Sequence, residues 1–180
     1  MHRSLVMTIL GRDRTGLVDA AASRVARLGG NWVESRLTRL AGHFAGVVRI
    51  DIDAAKVDDL VRALDTLSDE GLTVHVAVAD DSEAPTEQGP PLRLEFVGHD
   101  RPGIVREVAH ALAERGVNVD ELTTGVTSAP MTGEPMFTAV VDARPPGNID
   151  LAAFTEQMEQ LAEACELDVD LRVHDPAESA

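Results

Sequence analysis

The sequence predicts an α+β fold made of two copies of one βαββαβ unit. Two observations carry this prediction: an internal repeat, and the same order of hydrophobic periodicities in each copy. Shifting the chain by 87 positions places Gly11, Asp13, Arg14, Gly16, Val18, Ala22, Ala26, Gly29, Asn31 and Glu34 on identical residues at 98, 100, 101, 103, 105, 109, 113, 116, 118 and 121. A repeat this long, present twice, indicates a duplicated domain and not a solenoid. The stretch "DDSEAPTEQGPP", residues 80 to 91, is rich in Pro, Gly, Ser and acids and reads as a solvated linker. Expected boundaries are 1–80 for the first domain, 81–91 for the linker, 92–176 for the second domain and 177–180 for a disordered tail.

In the first copy Leu5, Met7 and Ile9 alternate as in a half-buried strand, and Val18, Ala21, Ala22 and Val25 recur as one helical face. Gly29 closes that helix. Residues 31–40 and 43–52 form a hairpin around "AGH", with Val48, Ile50 and Ile52 alternating. Val57, Leu60, Val61 and Leu64 return to helical spacing, and Val74, Val76 and Val78 mark a last strand. The second copy repeats this with Leu92, Leu94 and Phe96, then Val105, Val108, Ala109 and Leu112, then a hairpin. Leu151, Phe154, Met158 and Leu161 follow as a helix, and "DVDLRVH" as the final strand. The second hairpin is expected to carry six more residues than the first, in "GVTSAPMTGEP". This order is the ferredoxin-like split βαβ arrangement, in which right-handed crossovers put both helices on one face of an antiparallel sheet.

Composition narrows the function classes. Of 180 residues 44% are hydrophobic and 26% charged, as in a folded globular protein. The net charge of −15 opposes direct binding of nucleic acid, whose affinity rests on neutralised phosphates. Only 3% of residues are aromatic and Tyr is absent, so the base-stacking sheet of an RNA-recognition module is not available. Lys56 is the one lysine and is read as part of a solvated helix, which leaves little scope for Schiff-base chemistry. A single cysteine, Cys165, precludes an intramolecular disulfide and a multi-cysteine metal site, and suits a reducing cytoplasm. No apolar run reaches membrane-spanning length, and the N-terminal apolar segment is too short for a signal peptide. The six histidines show no ligand spacing, no cofactor is expected, and Cys165 is read as a buried, inert thiol.

The repeated loops "GRDRTGLV" and "GHDRPGIV" join each first strand to the first helix. They lack the Gly-Lys-Ser/Thr of a P-loop and the spacing of a dinucleotide fingerprint. What they build is an exposed helix N-terminus beside a glycine that admits a small ligand to the main chain, which attracts a group the size of a carboxylate. Asp13 and Asp100 are expected to cap the helices, and in the sharper reading also meet an ammonium group. Pro102 fits a first helical turn. Arg14 and Arg101 read as solvated arginines or as partners of a carboxylate. Asn31 and Asn118 read as turn residues or ligand contacts, and His99 as exposed.

With "DRxG(I/L)V" opening the helix and "GGNWVESRL" or "GVNVDEL" leading into the second strand, each unit resembles an ACT domain, a small regulatory module that binds amino acids. A chain of two such units is similar to the family of glycine cleavage system transcriptional repressors. The resemblance implies paired units whose sheets join side by side, with effectors at the seam between one opening loop and the second strand of the other unit. Carried onto this sequence, the ligand-binding residues would be Gly11, Asp13, Arg14, Thr15, Gly16, Leu17 and Asn31, with Gly98, Asp100, Arg101, Pro102, Gly103, Ile104 and Asn118. The resemblance further implies a small amino acid ligand, glycine or serine, and a protein partner such as a transcription activator, without direct nucleic-acid contact. Thr15 departs from the proline of the motif. Formyltetrahydrofolate deformylases open with similar units, but their catalytic domain has no counterpart here. The expectation is a non-enzymatic cytoplasmic regulator, with a sensor acting on a metabolic enzyme, or a formyltetrahydrofolate deformylase-related protein lacking the catalytic domain, as the alternatives, and a homodimer left open.

Overall fold

The computed structural model describes residues 1–79, 88–129 and 132–173. The chain divides into two compact units, Met1–Glu83 and Ala84–Ala180. In the first unit β1 (His2–Arg12), α1 (Leu17–Arg27), β2 (Asn31–Leu40), β3 (His43–Asp53), α2 (Val57–Asp65) and β4 (Leu72–Val78) follow the expected order. The second unit repeats it with β5 (Leu92–His99), α3 (Ile104–Glu114), β6 (Asn118–Ser128), β7 (Pro135–Arg144), α4 (Leu151–Ala164) and β8 (Leu167–Val173). Each unit holds a four-stranded antiparallel sheet, ordered β2-β3-β1-β4 in one and β6-β7-β5-β8 in the other. The first strand of each unit is therefore central, flanked by the third and fourth. Its odd or even residues decide which face the helices cover.

Alternation fixes the covered face. Leu5, Met7 and Ile9 of β1 and Val48, Ile50 and Ile52 of β3 lie under Leu17, Ala21 and Val25 of α1 and Leu60 and Leu64 of α2. In the second unit Leu92, Leu94 and Phe96 of β5 lie with Ile104, Val108 and Leu112 of α3 and Phe154 and Met158 of α4. These side chains are almost fully removed from water. At about 25 cal/mol per Å² of apolar surface, their burial is the main favourable contribution to each fold. Among the described residues no polar or charged side chain is buried.

The helical face is rotated by one residue from the expected one. Leu17 and Ile104 belong to the core, whereas Val18 and Val105 are 43% and 42% exposed. The cause is the helix start. Gly16 and Gly103 hold the N-cap positions in the left-handed conformation, at φ 91° and 100°, so each helix begins on the very next residue. At about 100° per residue, faces 17-21-25 and 104-108-112 then meet the sheet, leaving 18 and 105 to the side. Lys56 is exposed at the end of the short 3₁₀ helix that leads into α2, where its ammonium donates to the Leu28 carbonyl at 3.0 Å.

The second hairpin carries six more residues than the first, as expected: Leu40 pairs with His43 across two residues, whereas Thr127, its counterpart in the repeat, pairs with Met136 across eight. Most of the expected linker 81–91 and all of the tail 177–180 fall outside the described residues. The end of that linker is fastened to the second unit: Gln88 bridges Pro146, and the Gly89 N–H donates to the Pro145 carbonyl at 2.8 Å.

Gly11 and Gly98 are packing residues. A Cβ on Gly11 would lie 2.6 Å from the Gly71 carbonyl oxygen, and one on Gly98 would lie 2.7 Å from that of Glu166. Both contacts are with backbone, so they cannot be relieved by a rotamer change. Gly11→Ala and Gly98→Ala are each expected to destabilise the protein by about 1–3 kcal/mol, as overpacking does. Urea denaturation at fixed pH measures this, and unchanged midpoints would contradict the packing assignment.

Candidate functional site

Each opening loop is fastened at three places, and the fastenings correspond between units. The Asp13 N–H donates to the Gly42 carbonyl at 3.0 Å, and the Asp100 N–H donates to that of Pro135 at 3.0 Å, which ties the loop to the hairpin. Arg14 Nη2 donates to the Glu70 carbonyl at 2.8 Å, and Arg101 Nη2 to the Cys165 carbonyl at 3.3 Å. Those carbonyls precede Gly71 and Glu166, which turn the chain into the last strand with φ of 78° and 56°. Gly11 and Gly98 rest on the carbonyls of those same turn residues. The Gly-x-Asp-Arg motif is thus a clasp between the opening loop and the turn before β4 or β8.

This corrects the expected roles of several residues. Gly11 and Gly98 are buried and already in contact with their own chain, so neither offers space for a ligand. Leu17 and Ile104 are core residues, 3% and 2% exposed. Arg14 and Arg101 each donate to a backbone carbonyl and also lie against a carboxylate of their own unit, Glu70 at 3.8 Å and Glu107 at 2.6 Å. Asp13 and Asp100 do not cap the helices, because Gly16 and Gly103 occupy the cap positions and neither helix has a side-chain cap. An aspartate three residues before the cap lies too early to reach the first-turn N–H groups in the usual way. Asp13 pairs instead with Arg39 at 3.4 Å. Pro102 precedes the Gly103 cap and is outside the helix.

What remains at each loop is an exposed set of polar groups. Thr15, Gly16, Pro102 and Gly103 are exposed, as are Asp13 and Asp100. The first intrahelical bonds run from the Ala20 N–H to the Gly16 carbonyl at 2.9 Å and from the Glu107 N–H to the Gly103 carbonyl at 3.0 Å. The N–H groups of Leu17, Val18 and Asp19, and of Ile104, Val105 and Arg106, therefore precede the first helical acceptor. They carry the positive end of the helix dipole, which favours a carboxylate.

Asn31 and Asn118 lie elsewhere in their units. Asn31 pairs with Asp51, whereas Gly11 pairs with Phe44, seven residues back along β3. Asn118 pairs with Arg144, whereas Gly98 pairs with Phe137, again seven residues away on β7. At 3.4 Å per residue the separation is about 24 Å. No single amino acid spans that within one unit. Asn118 donates to Asp120 at 2.9 Å, and Asp120 accepts from Arg144 at 2.7 Å.

Glu107 and Cys165 form part of the second clasp, a role that sequence spacing did not indicate for either. Arg101 grips both Glu107 carboxylate oxygens, at 3.0 and 2.6 Å, and the Cys165 thiol donates to Glu107 Oε2 at 3.1 Å. The arginine, then the thiol, hold the Glu107 carboxyl down to about 2. Burial, reinforced by the carboxylate, pushes the Cys165 thiol up, so it stays protonated and unreactive. His99 is exposed, 4.0 Å from Glu134. Among the described residues no group of His, Cys, Asp and Glu could hold a metal, and no helix is long and apolar enough to cross a membrane. An apolar depression between α3 and β6, lined by Val105, Ala109, Val119 and Leu122 over Phe137, has no polar group to orient a zwitterion.

A carboxylate held below its unfolded value stabilises the fold above about pH 4.5, and this contribution fades as pH falls toward 2. Glu107→Gln should therefore melt at a lower temperature than the parent at pH 7. The gap should close between pH 5 and pH 2 in thermal melts, and a gap independent of pH would contradict the assignment.

Two family models, both described as ACT domain, match the chain at residues 3–77 and 92–161. No curated protein matches it. Among solved structures it is similar to an unknown protein from Galdieria sulphuraria, at 24% identity and a TM-score of 0.86, covering 97% of this chain and 100% of that one. It is also similar to a protein assigned provisionally as a glycine cleavage system transcriptional repressor, at 17% identity and a TM-score of 0.72, covering 96% and 97% of the two chains. At these identities the similarity speaks for the fold. With the two matches together covering well over half of its residues, the chain belongs to the ACT domain family.

Proposed function

We propose that this chain is a non-enzymatic regulator that binds a small amino acid at its opening loops and controls a protein partner. One observation carries the reading: in both units the clasp uses up Gly11 and Arg14, or Gly98 and Arg101, while the helix end behind it stays exposed and without a side-chain cap. The first-turn N–H groups then receive the ligand carboxylate, and Asp13 or Asp100 the ammonium. Thr15, Gly16, Pro102 and Gly103 form the rim. Asn31 and Asn118 join such a site only when a different ACT unit supplies them, given their distance from their own loop. A small ligand such as glycine or serine suits an open loop with little apolar lining, in keeping with the similarity to a glycine cleavage repressor.

Charge supports a protein partner. Residues 88–173 carry six basic against fifteen acidic side chains, so the second unit would repel a nucleic-acid backbone. A transcription activator fits this reading. For the ligand to act as a signal it must favour one of two states of the protein. Asp13 is engaged by Arg39, whereas no hydrogen bond or ion pair joins the Asp100 side chain to another described residue, so the second site is the readier of the two.

Thermal melting against the twenty amino acids tests the proposal. At 100 times Kd a ligand adds about 2.7 kcal/mol, which at roughly 2–4 °C per kcal/mol is a shift on the order of 5–10 °C. Glycine or serine should produce it, and Asp100→Ala should remove most of it while leaving the unliganded Tm within about 1 °C, as for a surface substitution. No shift with any amino acid would contradict the proposal.

A further inference from the structure

The two units differ in how they fill the groove between their first helix and their second strand. That strand, β2 or β6, forms one edge of its sheet. In the first unit Trp32 and Leu37 stand on the helix-covered side of β2, opposite Ile50 and Gly46. Both are half-buried and packed against the core. Leu37 lies so near the floor of the groove that a Cβ on Gly46 would come within 2.7 Å of its Cδ2 methyl. Trp32 is the only tryptophan in the chain. An indole and an isobutyl group thus close the groove of the first unit.

The 87-residue repeat puts Val119 in place of Trp32 and Thr124 in place of Leu37. Neither side chain reaches as far, and Thr124 is exposed. What remains between α3 and β6 is a depression of about 300 Å³, counting its open side. Val105 and Ala109 form one wall, Val119 and Leu122 the other, and Phe137 part of the floor. Val105, Val119 and Leu122 are 42%, 39% and 44% exposed. An open hollow with an apolar lining gives water no hydrogen-bonding partner, and such a hollow takes up uncharged apolar molecules.

We propose that this groove binds a small molecule carrying an uncharged aromatic ring, in the place that Trp32 fills in the first unit. The surroundings of that place are the same in both copies. Val18, Ala22 and Phe44 correspond to Val105, Ala109 and Phe137, by the repeat and by the pairing of Phe44 with Gly11 and of Phe137 with Gly98. Only the plug has changed. The first unit therefore carries a covalently attached likeness of the ligand that the second unit takes from solution. A charged ligand is disfavoured, because no polar group in the groove replaces its hydration. The occupant is thus of a different chemical class from the zwitterion proposed for the opening loop.

Methyl-resolved NMR on the full chain, titrated with indole, tests this. Indole should shift the methyl signals of Val105, Val119 and Leu122 saturably, while those of Val18 stay in place. Val119→Trp restores the plug of the first unit and should abolish the shifts at Val105 and Leu122. Ala109→Leu changes an exposed position on α3, keeps a good helix former there, and should abolish them by filling the groove from the opposite wall. Absence of saturable shifts in the parent, or shifts that persist in both variants, would overturn the inference. So would a parent that sediments as a dimer and variants that sediment as monomers, since a second copy would then cover the groove.

Discussion

The contact on which each unit depends is the approach of the opening strand's last glycine to the carbonyl of the turn that begins the final strand. Gly11 lies on Gly71 and Gly98 on Glu166, at distances that exclude a side chain. The arginine three residues on binds the preceding carbonyl, of Glu70 or Cys165. Together they join the end of the central strand to the start of the outer strand, two points 60 or more residues apart in sequence. The arginine therefore has a structural role as well as a candidate functional one. The loop is held rigid, and the helix that follows starts at a defined residue.

That rigidity has a functional consequence. A helix end can receive a ligand only if the first-turn N–H groups are unoccupied and fixed in direction. The left-handed glycines at 16 and 103 bring the helix start close to the clasp without placing a capping side chain in front of it. An Asp or Asn at those positions would tolerate the backbone angle and would also fill the site by capping. Glycine leaves it open. The two units apply the same construction with different reinforcements: Arg14 is joined by Arg24 through Glu70, whereas Arg101 is joined by Glu107 and the Cys165 thiol.

The order of elements, the core strands and the repeat were legible because alternation and an 87-residue identity pattern are local properties of the chain. The helical faces were legible only to within one residue, since periodicity in Val18, Ala21 and Val25 cannot show where the first turn begins; that depends on the backbone angle of Gly16. The site was legible as a place and not as a set of roles. Conserving Gly11, Asp13 and Arg14 in both copies marks a loop under constraint, yet the constraint is largely contact with Gly71 and Glu70, which no spacing rule connects to it. The contact of Glu107 with Cys165 is illegible in the sequence for the same reason: they are 58 residues apart and meet only through the fold.

Hydrogen exchange on the arginine variants tests the clasp most directly. With Arg101→Ala, the clasp account predicts faster exchange both in residues 98–104 and across the chain at 165–168, with the first unit unaffected. Arg14→Ala should do likewise at residues 11–17 and 70–73. Faster exchange confined to the substituted loop, with the distant turn unchanged, would contradict it.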